Sequence, residues 1–127
     1  MGSPKTPPEM RALLIGSSFK NLPGTDNDVR EMANILEIHG FDVANGRCVK
    51  RLCDKNATRQ NILDAWEELL RNTSSDDTVL IYYSGHGGLA ESETDSEQQQ
   101  RKRIQFLVPS DFDPSLKEWR GILDSEI

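Results

Sequence analysis

Short apolar runs alternate with longer segments of helical periodicity along this chain. The apolar runs fall within residues 11–18, 76–84 and 104–108, each of a length typical of a buried strand. Between the first two runs, apolar positions recur every three or four residues at 25–40 and again at 56–72, as expected for amphipathic helices. Strands that alternate with helices predict an α/β fold whose sheet is mostly parallel and carries helices on its faces.

Both helices carry boundary signals. Thr25 or Asp26 is a candidate N-cap of the first helix, whose first turn is acidic and therefore favoured by the helix dipole. Gly40 is a typical residue at which such a helix ends. Thr58 is the candidate N-cap of the second helix. The apolar run 79–83 has no polar alternation, which predicts a strand covered on both faces.

Four other segments have weaker patterns. The apolar pieces 41–43 and 48–52 predict one broken strand region between the two helices. Residues 89–103 are acidic, then rich in glutamine, then basic, which predicts a polar loop. Residues 121–127 predict the opening of a further helix.

Length and composition narrow the class of protein. Residues 1–9 hold three prolines and predict a disordered tail, which leaves residues 10–127 as one domain. The chain has 21 acidic and 15 basic residues, and its formal charge of -6 argues against nucleic-acid binding. No apolar run approaches the roughly 20 residues of a membrane helix, so we expect no membrane partner.

Two cysteines, Cys48 and Cys53, are too few and too close in sequence for a disulfide framework. They predict reduced thiols in a cytoplasmic protein. With only two histidines elsewhere in the chain, they also make a poor zinc site.

The segment "IYYSGHGG", residues 81–88, is the strongest candidate for chemistry. His86 directly follows a predicted strand, and Gly85, Gly87 and Gly88 flank it. Glycines permit unusual φ values and the close approach of another part of the chain. An imidazole titrates near neutral pH and suits general acid–base work. Sites in parallel sheets form at the carboxyl ends of strands, so we expect this loop and the loop 16–28 to line one crevice.

At this point the sequence resembles a known family. "YYSGHGG" is similar to the histidine motif of the caspase-like cysteine peptidases, and of metacaspases in particular. Leu22, Gly24, Asn27 and Asp28 match a metacaspase pattern at the start of the first helix. "FLVPSDF" and "GILDSEI" resemble later segments of the family, in the same order. The resemblance implies a caspase-like three-layer sandwich and a peptidase domain over residues 10–127.

The resemblance also implies roles for four residues. His86 corresponds to the histidine that works with a cysteine nucleophile, and the backbone N–H of Gly87 to an oxyanion donor. Asp28 and Ser84 correspond to the pocket that holds the substrate residue before the cut. An acidic pocket selects arginine or lysine by charge, so the implied substrate is a peptide or protein cut after a basic residue.

The chain departs from the family pattern in one respect: no cysteine follows His86. The family's nucleophile lies downstream of the histidine, so we expect a part of a peptidase, truncated before the cysteine-bearing strand and inactive alone. A second polypeptide would then complete the sheet. Cys48 and Cys53 are poor substitutes, because no glycine follows Cys53 and the resemblance places it beside the second helix, away from His86.

Two alternative functions and one candidate cofactor remain open at the level of sequence. The chain could be a non-catalytic caspase-like module that serves interaction or regulation. A flavodoxin-like nucleotide binder fits the strand–helix alternation but lacks a phosphate-binding motif. Calcium is the one cofactor that the sequence raises, through the acidic positions within the loop 89–103, although a solvated loop is the favoured interpretation; those positions are Glu91, Glu93, Asp95 and Glu97.

Overall fold

The structure is a computed structural model that describes residues 7–91, 103–115 and 119–127. Three parallel strands form its first sheet in the order β2-β1-β3. Helix α1 connects β1 to β2, and helix α2 connects β2 to β3. In chain order these elements are β1 (Met10–Gly16), α1 (Thr25–Ile38), β2 (Val49–Cys53), α2 (Arg59–Asn72) and β3 (Thr78–Ser84).

The central strand β1 divides the core into two layers. Leu13 and Ile15 pack against the cluster that contains the buried face of α2. Ala12 and Leu14 pack against the cluster that contains the buried face of α1. Successive side chains of a strand point to opposite faces, so a strand that is apolar throughout must have a helix on each side. The expected three-layer α/β arrangement is therefore confirmed.

Only one of the two predicted helix starts is correct. The Thr58 hydroxyl accepts a hydrogen bond from the Asn61 amide at 3.2 Å, as expected of an N-cap. Helix α1 instead follows Gly24, which has a φ of 90° and no capping side chain. The prediction of Thr25 or Asp26 as the cap was wrong, because the chain enters this helix through a left-handed turn that glycine adopts without strain.

The broken strand region is shorter than predicted. Residues 41–43 are not a strand, since they complete the turn that ends α1. Gly40 has a φ of 93°, and the Phe41 amide donates to the Leu36 carbonyl oxygen at 2.9 Å. This bond satisfies a carbonyl group at the helix end and buries the Phe41 ring beside α1.

A second, antiparallel sheet follows β3. Its strands are β4 (Gly87–Glu91), β5 (Arg103–Leu107) and β6 (Ile122–Leu123), in the order β4-β5-β6. The prediction of a polar loop over 89–103 was wrong at both ends, because residues 87–91 pair one for one with residues 103–107. Cross-strand backbone bonds override the polar composition there. Residues 92–102 lie outside the described residues.

The expected helix at 121–127 was also wrong. Ile122 pairs with Leu107 as part of β6 and is fully buried in the cluster below α2. A short 3₁₀ turn, Asp124–Glu126, follows. The Glu126 carboxylate accepts a hydrogen bond from Arg59 at 3.1 Å, which ties this turn to the start of α2. The burial of one isoleucine thus directs this segment into the second sheet.

Strand β3 is less covered than its sequence predicts. Among the described strands it pairs with β1 alone, so it forms an edge of the parallel sheet. Val79 is 37% exposed and Ile81 is 39% exposed. Two β-branched side chains are therefore open to solvent on the face of the sheet that carries α2.

The predicted tail also ends earlier than expected. Residues 1–6 lie outside the described residues, but Glu9 is already joined to the start of β3. Its carbonyl oxygen accepts from the Thr78 amide at 2.9 Å, and its amide donates to Asp77 at 2.9 Å. The hydrogen bonds that the Asp77 carboxylate accepts from the Glu9 amide and from the Ser74 amide lower the pKa of Asp77.

Hydrogen bonds at one junction join the two sheets. The Tyr83 hydroxyl lies 2.6 Å from the His86 carbonyl oxygen and 3.0 Å from that of Val108. The same hydroxyl accepts from the Val108 amide at 3.2 Å. The fully buried Ser17 hydroxyl donates to the Val108 carbonyl oxygen at 2.7 Å. Residues that follow β1, β3 and β5 therefore meet at one point, which we call the Tyr83 junction.

We expect Tyr83→Phe to lower the free energy of unfolding by about 1–2 kcal/mol, since it removes the hydrogen bonds between the phenol hydroxyl and the partly buried backbone of His86 and Val108. Urea denaturation measures this loss. Amide hydrogen exchange at Val108 should also become faster.

Tyr82→Phe is the matched control, because Tyr82 lies on the opposite face of β3 and packs against the α1 cluster. Equal losses of stability in the two variants, with no change in exchange at Val108, would contradict the role assigned to the Tyr83 junction.

Candidate active site

Asp28 and Ser84, which are 56 positions apart in sequence, meet at the carboxyl end of the parallel sheet. The Ser84 hydroxyl donates to Oδ2 of Asp28 at 2.6 Å. Ser84 is the last residue of β3, and Asp28 lies in the first turn of α1. The structure thus brings together the two residues that the sequence assigned to one pocket, at the edge of the sheet where such sites form.

Gly16 explains why α1 can approach the sheet so closely. It is the last residue of β1 and pairs with Ser84. A Cβ atom at this position would lie 2.8 Å from the Thr25 carbonyl oxygen and 3.0 Å from a Val29 methyl group. The absence of a side chain lets the first turn of α1 rest directly on the strand end, where Asp28 reaches Ser84.

His86 lies in the link between β3 and β4, two residues after Ser84. Its carbonyl oxygen is held by the Tyr83 hydroxyl and by the Val108 amide, at 2.6 and 3.1 Å. Its side chain is exposed, and the ring lies edge-on to Phe19 with 6.4 Å between the centroids. The backbone of this histidine is therefore anchored while its ring remains open to a substrate, as acid–base work requires.

The glycines beside His86 act through packing rather than through unusual φ values, which corrects one expectation. Positive φ angles occur at Gly24 and Gly40 among the described glycines. A Cβ at Gly85 would lie 2.6 Å from the Tyr83 hydroxyl, and one at Gly88 would lie 2.1 Å from Cζ of Phe106. These two glycines make room for aromatic side chains.

Gly87 is exposed at the start of β4. A Cβ there would meet only the Phe106 carbonyl oxygen, at 3.8 Å. The approach to its backbone is open, which is what an oxyanion donor needs. The oxyanion role itself stays a prediction.

Neither thiol belongs to this group of residues. Cys48 and Cys53 are both free and half-buried. Burial raises the pKa of the Cys53 thiol to about 11, with further contributions from a hydrogen bond to Asp26 and from the charges of Asp26 and Asp54. A thiol with such a pKa is protonated at neutral pH and is a poor nucleophile.

Within residues 7–91, 103–115 and 119–127, no three His, Cys, Asp or Glu side chains gather as metal ligands would. Glu93, Asp95 and Glu97 lie outside those ranges, and Glu91 is the last residue of β4. A calcium role for the acidic segment stays a prediction. Neither described helix combines the length and hydropathy that a bilayer crossing needs.

Two residues of the Tyr83 junction were missed by sequence reasoning. Ser17 belongs to a Gly-Ser-Ser sequence with no phosphate-loop spacing, and its bond to Val108 spans 91 positions. Tyr83 lies in an apolar run, where its hydroxyl gives no local sign of a partner. The one usable signal is that a buried tyrosine hydroxyl needs a hydrogen-bond partner.

Most of the chain is similar in sequence to known proteins. The model of the caspase domain matches residues 9–125. A metacaspase-1 from Lodderomyces elongisporus is 36% identical over 92 residues, which cover 67% of this chain and 20% of that protein. A metacaspase-6 from Arabidopsis thaliana is 34% identical over 112 residues, which cover 80% of this chain and 29% of that protein.

A solved structure has a similar fold. The crystal structure of the protein GSU0716 from Geobacter sulfurreducens aligns with a TM-score of 0.68 and 23% identity. The alignment covers 94% of this chain and 43% of that protein. This chain therefore spans less than half the length of each of these three proteins. The match of the caspase domain along nearly the whole chain shows that the chain belongs to the caspase domain family, as a metacaspase-like member.

Proposed function

We propose that this chain is the histidine-bearing and substrate-recognising part of a cysteine endopeptidase that cuts after arginine or lysine. The observation that carries the proposal is the 2.6 Å hydrogen bond between Ser84 and Asp28, two residues before His86. An acidic group and an exposed imidazole share one strand end, which is the arrangement that cleavage beside a basic residue requires.

The proposed reaction needs a thiolate that neither Cys48 nor Cys53 supplies. The thiolate attacks the carbonyl carbon of the scissile bond, and the oxygen takes the negative charge beside the Gly87 amide. As the C–N bond breaks, His86 gives a proton to the leaving amine. His86 then takes a proton from water, whose oxygen attacks the acyl-enzyme and releases the thiolate, so that the starting charges are restored.

The preference for a basic residue rests on charge and geometry. The hydrogen bond from Ser84 orients the Asp28 carboxylate, whose remaining acceptor positions suit a guanidinium or an ammonium group. A pocket for an acidic residue would need arginine, and residues 16–28 contain none.

The partner that we propose is a second polypeptide that supplies the thiolate and completes the parallel sheet along β3. The exposed Val79 and Ile81 on this edge strand support the proposal, because an apolar edge is a template for strand pairing. A cavity of about 760 Å³ opens beside β4 and β5, where its lining includes Leu89, Ile122 and Ile127. The partner would bury these apolar groups.

A second candidate function uses the same edge. A non-catalytic caspase-like module would bind a regulatory partner along β3 by strand addition, without any chemistry at His86. The exposed edge favours both functions equally. Only the pairing of Asp28 with Ser84 favours the peptidase, because strand addition does not need it.

We expect Asp28→Asn to weaken binding of the peptide acetyl-Gly-Arg-Ser-Gly-amide by at least about tenfold, since a charge-assisted hydrogen bond is lost. NMR titration of the isolated chain measures the affinity. Glu31→Gln is the matched control, because it removes the same charge from an exposed position of α1.

Equal weakening in both variants would mean that only net charge matters. An affinity for the matching glutamate peptide as high as that for the arginine peptide would refute the basic pocket.

The isolated chain should not hydrolyse fluorogenic peptides that carry arginine or lysine before the reporter group, because no cysteine follows His86. A fluorescence assay at high protein concentration tests this. Turnover that His86→Ala abolishes would show that a nucleophile within this chain completes the site.

Iodoacetamide should modify Cys53 slowly at neutral pH, since a pKa of about 11 leaves about one thiol in ten thousand as thiolate at pH 7. The rate should keep rising with pH beyond pH 9. Asp26→Asn removes a group that raises this pKa, so it should speed the reaction severalfold. Peptide mapping by mass spectrometry, with Cys48 as the internal reference, measures both. Fast modification at pH 7, unchanged in the variant, would contradict the account.

A further inference from the structure

Four aromatic side chains form a continuous surface that begins at the His86 ring. Phe19 contacts Phe112 edge-on at 5.5 Å between centroids, and Phe112 stacks on Phe106 at 5.5 Å. Phe106 in turn contacts Trp119 at 4.7 Å. These four residues, which we call the aromatic surface, come from the loop after β1, from β5 and from the segment between β5 and β6.

The aromatic surface is distinct from the core of the domain. None of its members belongs to the two clusters that pack around the parallel sheet. Each member is half-buried, so part of each ring faces solvent. The chain has only eight aromatic residues, and half of them lie together beside one exposed histidine. Such a concentration of half-open rings is typical of a surface that binds an apolar group.

Two glycines allow these rings to lie where they do. A Cβ at Gly88 would lie 2.1 Å from the Phe106 ring. A Cβ at Gly121 would lie 2.7 Å from the Trp119 ring and 3.0 Å from the Phe106 ring. The glycine two residues after His86 therefore positions Phe106, which links the histidine motif to the aromatic surface.

The chemistry of His86 determines which substrate residue meets this surface. In the proposed reaction His86 protonates the leaving amine, whose nitrogen belongs to the residue after the cut. The side chain of that residue starts one carbon away from this nitrogen. It must therefore lie within a few ångströms of the imidazole, and Phe19 lies 6.4 Å from that ring.

We propose that the aromatic surface is the subsite for an apolar side chain on the residue directly after the cleaved bond. This inference rests on the proposed function and adds a second specificity to it: a basic residue before the cut and an apolar residue after it. Lys20 strengthens the choice, because its ammonium group lies 5.6 Å from the Phe19 ring centre and disfavours a second cation there.

NMR titration of the isolated, isotope-labelled chain tests the inference without any need for turnover. Trp119 lies on the aromatic surface, whereas Trp66, the other tryptophan, lies on α2. Their two indole N–H signals therefore provide a reporter and an internal control. The probes are acetyl-Gly-Arg-Leu-Gly-amide and the same peptide with Ser or Lys in place of Leu.

We expect the leucine peptide to bind roughly tenfold more tightly than the serine peptide and to shift Trp119 but not Trp66. The lysine peptide should bind less tightly than the leucine peptide. Phe112→Ala should remove the difference in affinity between the leucine and serine peptides. The preference for arginine over glutamate before the cut should persist. Phe112→Leu keeps an apolar side chain and should retain the preference for leucine.

Two outcomes would overturn the inference, and they differ in what else they affect. Equal affinity for the leucine and serine peptides, with Trp119 unmoved and arginine still preferred over glutamate, would refute the subsite and leave the basic pocket intact. An absence of any arginine preference would refute the proposed function and the subsite with it.

Discussion

The Tyr83 junction is the contact on which the rest of this structure depends. The hydroxyl of Tyr83 contacts the backbone just before β4, at His86, and just after β5, at Val108. Ser17 adds a bond from the end of β1 to the same carbonyl group. Hydrogen bonds in a half-buried place rigidify the groups they join, because breaking one leaves a polar group without water. The junction thus sets the position of the histidine relative to both sheets.

The same end of the parallel sheet explains the two specificities that we propose. Gly16 lets the first turn of α1 rest on the end of β1, where Asp28 accepts a hydrogen bond from Ser84, two residues before His86. The hairpin that follows this link supplies Phe106 and places the aromatic surface beside the imidazole. A peptide that crosses the histidine would meet a carboxylate before the scissile bond and aromatic rings after it.

Local patterns predicted the parts of the fold that depend on local chemistry. The apolar run of β1, the periodicity of both helices and the Thr58 cap follow from residue types alone, and the structure confirms them. The resemblance to metacaspases assigned Asp28 and Ser84 to one pocket, and their side chains lie within hydrogen-bond distance, while the pocket's role stays a prediction. The hairpin did not, because backbone pairing between residues 87–91 and 103–107 leaves little trace in a polar sequence. The role of Tyr83 and the burial of Ile122 depend on contacts between segments that are far apart in sequence, so the local pattern of residues does not reveal them.

The central claim is that His86 and Asp28 line one cleft that recognises a basic side chain. A peptide chloromethyl ketone that ends in arginine tests it directly, because its reactive carbon would lie beside the imidazole when the arginine occupies the pocket. The imidazole nitrogen displaces chloride and forms a stable C–N bond, which mass spectrometry can map. We expect modification of His86 in preference to His39, and faster than with the glutamate analogue. Equal modification of the two histidines, or no dependence on arginine, would contradict the claim.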